Sequence, residues 1–114
     1  MQLPRLKNLV MESLTELKAI DPVILKVTEL TDVTDFLVVV SGTSSRHVKA
    51  LAEGVCLEAK KHGVTPLGVE GALVGDWVLV DFGDLILHVM LPSAREFYSL
   101  ESLWKDSEGR FVTD

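Results

Sequence analysis

The sequence has one cysteine, no excess of basic residues and no long apolar run, and each absence excludes a class of protein. A lone Cys56 among 114 residues excludes an internal disulfide and cysteine-based zinc sites. The net charge of −6 argues against direct binding of nucleic acid, because phosphate binding needs a basic surface. The start MQLPRLKN has no apolar signal core, and no run could span a bilayer. We therefore expect a cytoplasmic protein, or one of an organelle matrix, without membrane association.

The patterns that support catalysis or metal binding are also missing. His47, His62 and His88 are scattered, without the spacing that holds a metal ion. The only Asp-x-Glu is Asp106-Ser107-Glu108, which lies in a polar tail and not on a strand where a nucleotidyl-transfer site would need it. Cys56 falls on the apolar stripe of a helix, which is typical of a small buried side chain. We expect no enzyme, no cofactor and no metal.

What the sequence does have is 47% hydrophobic residues in periodic segments, which predict one α/β domain. The predicted order is α-β-β-α-β-β-β-α, a mixed five-stranded sheet with one right-handed βαβ crossover. Residues 1–105 form this single domain, and 106–114 are a polar C-terminal tail. The predicted helices start at Pro4 and cover Ser45–His62 and Glu96–Trp104; the predicted strands are Asp21–Val27, Phe36–Val40, Thr65–Gly71, Asp76–Asp81 and Leu85–Met90.

Two long helices can cover only one face of such a sheet, so the helices lie mainly on one face. The strands WVLVD and LILHVM do not alternate apolar and polar residues as a half-solvated sheet should. An apolar second face without a cover is typical of a partner surface. The alternative is that the terminal segments fold over it.

The turn SGTSSRHV follows a predicted central strand and opens a helix, where open α/β sheets bind ligands. It lacks the lysine and the spacing of a P-loop. Thr43 or Ser44 can supply the N-cap oxygen, and Gly42 the unusual backbone angles of the turn. We interpret the turn as a helix cap with residual anion affinity. The alternative function is a nucleotide- or anion-binding sensor, or a degenerate nucleotidyltransferase, that uses Gly42 to Ser45.

The last predicted hairpin resists a purely structural interpretation. A turn at Phe82-Gly83 would place Leu79 opposite Ile86 and Trp77 beside His88. Tryptophan and methionine at the rim of an uncovered apolar face are typical anchors of a protein interface. Ordinary core packing of the indole with the histidine is the alternative.

Four blocks of the sequence carry a resemblance: TDFLVVVSGTSSRHVKALA, PLGVEG, GDWVLVDFGDLILHVM and REFYSLESLW. From about Asp21 to Trp104 the chain resembles the ribosomal silencing factor family, also called Iojap-like. The resemblance implies a fold related to nucleotidyltransferases without their catalytic carboxylates. It also implies translational repression: binding of large-subunit ribosomal protein L-fourteen, which sterically prevents the two subunits from joining. A role in large-subunit biogenesis is implied as well.

The hairpin and the resemblance together give the predicted partner-binding residues. The apolar contacts have side chains on the second face, and the acidic contacts form a rim suited to a basic ribosomal protein. The same face could pair with itself, so we expect a homodimer when no ribosome is present. The apolar contacts are Trp77, Leu79, His88 and Met90; the acidic contacts are Glu70, Asp76 and Asp81.

Overall fold

The computed structural model describes residues 2–99, which contain three helices and five strands in the predicted order. The helices are α1 (Leu3–Glu16), α2 (Ser45–Lys61) and α3 (Pro92–Tyr98); the strands are β1 (Ile20–Lys26), β2 (Phe36–Ser41), β3 (Gly68–Glu70), β4 (Trp77–Asp81) and β5 (Leu85–Met90). The predicted α/β fold with a mixed five-stranded sheet is confirmed. The predicted tail, 106–114, and its boundary lie outside the described residues.

The sheet has the strand order β1-β2-β5-β4-β3. β2 pairs with β5 in parallel, and the other three neighbouring pairs are antiparallel. It follows that β2 and β3 point the same way, so the segment β2-α2-β3 is the predicted crossover. β1 and β3 form the two edges of the sheet.

α1 and α2 both pack on one face of the sheet, hereafter the helix-covered face. α1 has Pro4 in its first turn, a position where the missing N–H costs no hydrogen bond. The cap residue Ser44 precedes α2, and Gly63 follows its end with a φ of +79°, which glycine adopts easily. The core on this face is almost entirely aliphatic. It includes Leu6, Val10, Leu14, Val38, Val40, Val48, Leu51, Val55, Val78, Val80, Leu87 and Val89.

The opposite face of the sheet, hereafter the second face, has its own buried cluster. This cluster consists of Leu25, Val27, Leu37, Val39 and Met90, with Ala94 of α3 packed against it. The expectation of an uncovered second face is therefore wrong for the centre of the sheet. α3 begins at Pro92, four residues before the predicted start at Glu96, and it follows β5 after a single residue. Arg95 anchors α3 by donating from Nη1 to the Ser41 hydroxyl oxygen at 3.2 Å.

The β4–β5 hairpin has a register that differs from the prediction. Leu79 lies opposite His88, and Trp77 opposite Met90. The turn is one residue further along the chain than predicted, because Gly83 has a φ of +89° and takes the first central position of the tight turn. The Phe82 N–H donates to the Leu85 carbonyl at 2.9 Å, which closes that turn. The shift keeps every side chain on its predicted face, because it moves the pairing by two residues.

Candidate protein-binding site

Trp77 and His88 form a hydrogen-bonded pair on the second face. The Trp77 indole Nε1–H donates to His88 Nδ1 at 2.9 Å, and the two ring centroids are 5.8 Å apart. On its other side the indole contacts the Tyr98 ring of α3, with centroids 4.8 Å apart. Trp77 is half-buried. Two neighbours therefore hold its ring, and part of the ring stays accessible to solvent.

Beside this pair lies a shallow depression with a volume of about 420 Å³. Glu70 and Asp76 are exposed at its border, so the depression combines an aromatic surface with two acidic side chains. It lies toward the β3 edge of the sheet, away from the β1–β2 half. The lining residues of this surface, hereafter the Trp77 depression, are Glu70, Gly71, Asp76, Trp77, Leu79 and Tyr98.

Four of the seven predicted partner-binding residues line the Trp77 depression, and the other three do not. Met90 is 0% exposed and His88 only 7%, so the expectation that these side chains are exposed is wrong. Both lie within the sheet, where Met90 belongs to the buried cluster and His88 lies behind the indole. Asp81 is half-buried and accepts a hydrogen bond from the Gly83 N–H through Oδ1 at 2.8 Å, which is a turn-forming role. Partner contact by Trp77, Leu79, Glu70 and Asp76 stays a prediction.

His88 is neutral at physiological pH. Burial lowers the pKa of its imidazole from 6.5 to about 4, because the charged form loses its hydration there. Since Nδ1 accepts the indole hydrogen, the ring proton of the neutral form sits on Nε2. The Trp77–His88 pair therefore has one defined donor and one defined acceptor.

Sequence reasoning missed an exposed loop next to the depression. Leu73 is 94% exposed and Val74 69%, and both lie in the loop that joins β3 to β4. The loop is flanked by Gly71 and Gly75, with φ values of +84° and +82°, and it is closed by a hydrogen bond from the Gly75 N–H to the Gly71 carbonyl at 3.0 Å. A Cβ at Gly71 would overlap the Trp77 carbonyl oxygen. The available signal was the sequence GALVG, two glycines around two aliphatic residues.

The second missed feature is a pair of aromatic residues at the end of α3. Phe97 is 81% exposed, and its ring lies edge-on to Tyr98 with the centroids 5.1 Å apart. Because Tyr98 in turn contacts Trp77, the three rings form one continuous aromatic series from the sheet outward. The short sequence Phe97-Tyr98-Ser99 has no hydrophobic periodicity that would have distinguished these residues from ordinary helix residues.

The Gly42–Ser45 turn uses its polar groups within the protein. Ser44, one of the two predicted candidates, is the N-cap of α2, and its hydroxyl oxygen accepts from the His47 N–H at 3.1 Å. The Thr43 N–H donates to His47 Nδ1 at 2.9 Å, and His47 Nε2–H donates to the Leu17 carbonyl at 2.9 Å. Two donors that an anion would need are thus already bonded, and the capping interpretation is favoured.

Other candidate chemistry is weak in the part of the chain that the structure describes. Cys56 is half-buried, and burial raises the pKa of its thiol, which makes it a poorer nucleophile at neutral pH. Within residues 2–99 no group of three or more histidine, cysteine or acidic residues is arranged to hold a metal ion. None of the helices described is both long enough and apolar enough to cross a bilayer.

Comparison with known proteins gives one consistent family. The family model described as "Ribosomal silencing factor during starvation" matches residues 1–113, so the match extends past Trp104, where the resemblance of the sequence blocks ended. A protein of Chromobacterium violaceum named "Ribosomal silencing factor RsfS" is 40% identical over 112 residues, which cover 98% of this chain and 92% of the relative. The Haemophilus influenzae protein of the same name is 42% identical over 99 residues, covering 87% of this chain and 97% of the relative.

A solved structure and a more distant relative agree with this assignment. The crystal structure of a Chromobacterium violaceum protein superposes with a TM-score of 0.89 at 41% identity, covering 91% of this chain and 87% of the other. The mouse protein "Mitochondrial assembly of ribosomal large subunit protein 1" is 41% identical over 75 residues, covering 62% of this chain and 32% of the relative. The chain belongs to the ribosomal silencing factor family.

Proposed function

We propose that this protein is a translational repressor that binds the large ribosomal subunit through ribosomal protein L-fourteen and sterically blocks joining with the small subunit. The observation that carries the proposal is the Trp77 depression, a partly accessible indole bordered by Glu70 and Asp76. In this proposal the protein acts in the cytoplasm, by occupying a surface of the large subunit and not by catalysis, and it needs no cofactor. A role in large-subunit assembly is part of the same proposal, because a protein bound to that surface of the large subunit is also positioned to act before the two subunits join.

The geometry of Trp77 suits a binding anchor. Tryptophan is enriched among the residues that dominate binding energy, because it buries a large apolar area at a low cost in conformational entropy. Here the indole is already oriented by His88 and Tyr98, so little ordering remains to be done on binding. An anchor held in place before contact loses less free energy on association than a mobile one.

The surroundings of the depression suit a basic protein partner with some apolar surface. Glu70 and Asp76 are exposed, and the whole chain has a net charge of −6, which favours encounter with a positively charged protein. The exposed ring of Phe97 contacts Tyr98, a lining residue, and extends the apolar part of the surface. Exposed apolar residues grouped in this way are typical of interaction sites.

Co-sedimentation with purified large subunits, small subunits and joined ribosomes tests the proposal. The protein should sediment with large subunits alone, and adding it before the small subunit should reduce the yield of joined ribosomes. Trp77→Ala should lower affinity for the large subunit about thirtyfold, the effect typical of a lost central anchor. Leu57→Ala is the matched control, because it trims an exposed aliphatic side chain on α2. Wild-type protein that does not sediment with the large subunit would refute the proposal.

A homodimer of the free protein, formed through the same depression, is part of the proposal. It predicts that large subunits and a second copy compete for one surface. Sedimentation velocity of the free protein should show a dimer that Trp77→Ala weakens and Leu57→Ala does not. A dimer that is unaffected by Trp77→Ala would place the self-association elsewhere.

A further inference from the structure

A buried imidazole in β5 calls for an explanation that packing does not supply. His88 is only 7% exposed and lies between Val39 of β2 and Leu79 of β4 in the sheet. An aliphatic side chain would fill such a position without the cost of removing two ring nitrogens from water. The fold alone therefore gives no reason for histidine at this point of the strand.

The indole of Trp77 gives the reason. Its Nε1–H is a donor without any acceptor capacity, and His88 Nδ1 meets it at 2.9 Å. The bond comes from a strand in the middle of the sheet, whereas the ring it holds lines the depression at the surface. A hydrogen bond from a rigid interior residue to a half-buried ring restricts how the ring can rotate about its two side-chain torsions.

The contact with Tyr98 cannot do this alone. Ring contacts such as the one between Trp77 and Tyr98, with centroids 4.8 Å apart, tolerate rotation and sliding of the rings. A hydrogen bond is directional, and it weakens steeply when the donor turns away from the acceptor. His88 therefore supplies the directional restraint, and Tyr98 supplies area.

We propose that His88 is a positioning residue, whose Nδ1 atom fixes the Trp77 indole in the orientation that the ribosomal partner binds. The inference rests on the proposed function, because it assigns a task to His88 within that same surface. His88 itself does not touch the partner.

Three single variants and one double variant separate positioning from a merely structural role. His88→Leu keeps the volume roughly but removes the acceptor, and it should lower large-subunit affinity about three- to tenfold in protein that remains folded. His88→Asn places an amide oxygen where Nδ1 lies, and it should recover most of that loss. Trp77→Phe removes the donor, so adding His88→Leu to Trp77→Phe should cause no further loss of affinity.

A second measurement needs no change at position 88 or position 77. In a Trp104→Phe background the single remaining indole N–H resonance belongs to Trp77. Because that hydrogen is bonded to His88, its exchange with water should be at least tenfold slower than in a free indole. Exchange at the rate of a free indole would overturn the inference even if His88→Leu failed to fold.

The outcomes also separate this inference from the proposed function. Full affinity of folded His88→Leu, together with loss of affinity in Trp77→Ala, would overturn the positioning role and keep the function. A His88→Asn variant that binds no better than His88→Leu would also overturn it. Wild-type protein without affinity for the large subunit would refute the function itself.

Discussion

The two faces of the sheet are built from different kinds of side chain. On the helix-covered face, β2, β4 and β5 contribute only apolar side chains at their buried positions beneath α1 and α2: valine, leucine and Phe36. On the second face the same three strands contribute Ser41, Trp77, Asp81 and His88 as well as aliphatic residues. The two faces differ in polarity although the strands that build them are identical.

The difference shows where polar groups are tolerated. Two long helices exclude water from the helix-covered face, so a polar side chain there would lose its hydration without gaining a partner. On the second face each polar group has a defined partner: Arg95 for Ser41, Trp77 for His88 and the Gly83 N–H for Asp81. The centre of this face is core, and its β3–β4 end is the candidate binding surface.

The largest expected effect tests whether the centre of the second face is core. Met90→Ala should lower the free energy of unfolding by about 2–5 kcal/mol, because it leaves a cavity at a site that is 0% exposed. Leu87→Ala, on the same strand but on the helix-covered face, is the matched control and should cost a similar amount. Urea unfolding of both variants measures this.

Equal losses would show that both faces are packed alike at their centres. A Met90→Ala variant that unfolds at the wild-type urea concentration, beside a strongly destabilised Leu87→Ala, would show that Met90 lies on an open surface in solution.

The second effect depends on pH and arises only on the second face. The pKa of His88 is about 4 in the folded protein and close to 6.5 when unfolded, so the unfolded state binds the proton more readily. Titration of His88 therefore costs no stability well above pH 6.5. As the pH falls from 6.5 toward 4, protonation of His88 in the unfolded state lowers the free energy of unfolding. Between pH 7 and pH 5 this group should remove about 2 kcal/mol from the free energy of unfolding.

Urea unfolding at several pH values, with His88→Leu as the reference, isolates this contribution. The difference in stability between wild type and His88→Leu should grow in favour of the variant as the pH falls. Parallel pH profiles for the two proteins would contradict a buried, neutral imidazole.

The third effect concerns the end of α2 that carries the Gly42–Ser45 turn. Ser44→Ala should lower the free energy of unfolding by about 1 kcal/mol, because the His47 N–H loses its acceptor, and large-subunit binding should persist. Ser45→Ala, one residue later and not the cap, should change stability less. Loss of binding by folded Ser44→Ala would revive the anion-binding interpretation of this turn.

The smallest effect tests the acidic border of the depression. Asp76→Asn should slow association with large subunits by a few-fold at low salt and less at physiological salt, while the dissociation rate changes little. Glu53→Gln, an exposed acid on α2, makes the same change in charge away from the depression and is the control. Equal association rates for the two variants would show that Asp76 acts only through net charge.

Sequence periodicity was sufficient for the fold but not for the cover of the second face. Strand and helix order followed from apolar runs and caps such as Ser44 and Gly63, which act locally. The start of α3 at Pro92 depends on a proline in the first turn, which is a weaker signal than an apolar period. The contacts that hold α3 on the sheet, such as Arg95 with Ser41 and Tyr98 with Trp77, join residues far apart in the chain.

The sequence was sufficient to identify Trp77 as the central residue of the candidate site, but not to predict which neighbouring side chains are buried. Trp77 and Glu70 were identified from the residue types, but the burial of Met90 was not. Strand alternation assigns a side chain to a face, and it does not tell how far that face is covered. The hairpin register also depended on which residue of Phe82-Gly83-Asp84 took the positive φ, and Gly83 took it at the first turn position.

The parallel pairing of β2 with β5 has a consequence for how the chain is made. Phe36 pairs with Leu85, so β2 leaves the ribosome well before its central neighbour exists. At roughly 5–20 residues per second, the delay is on the order of seconds. During that time the segment FLVVV has an unpaired edge, which is the kind of segment that aggregates. A chain whose synthesis stops before β5 therefore has β1 and β2 but no partner for the inner edge of β2. Such a product should be a substrate for chaperones and proteases.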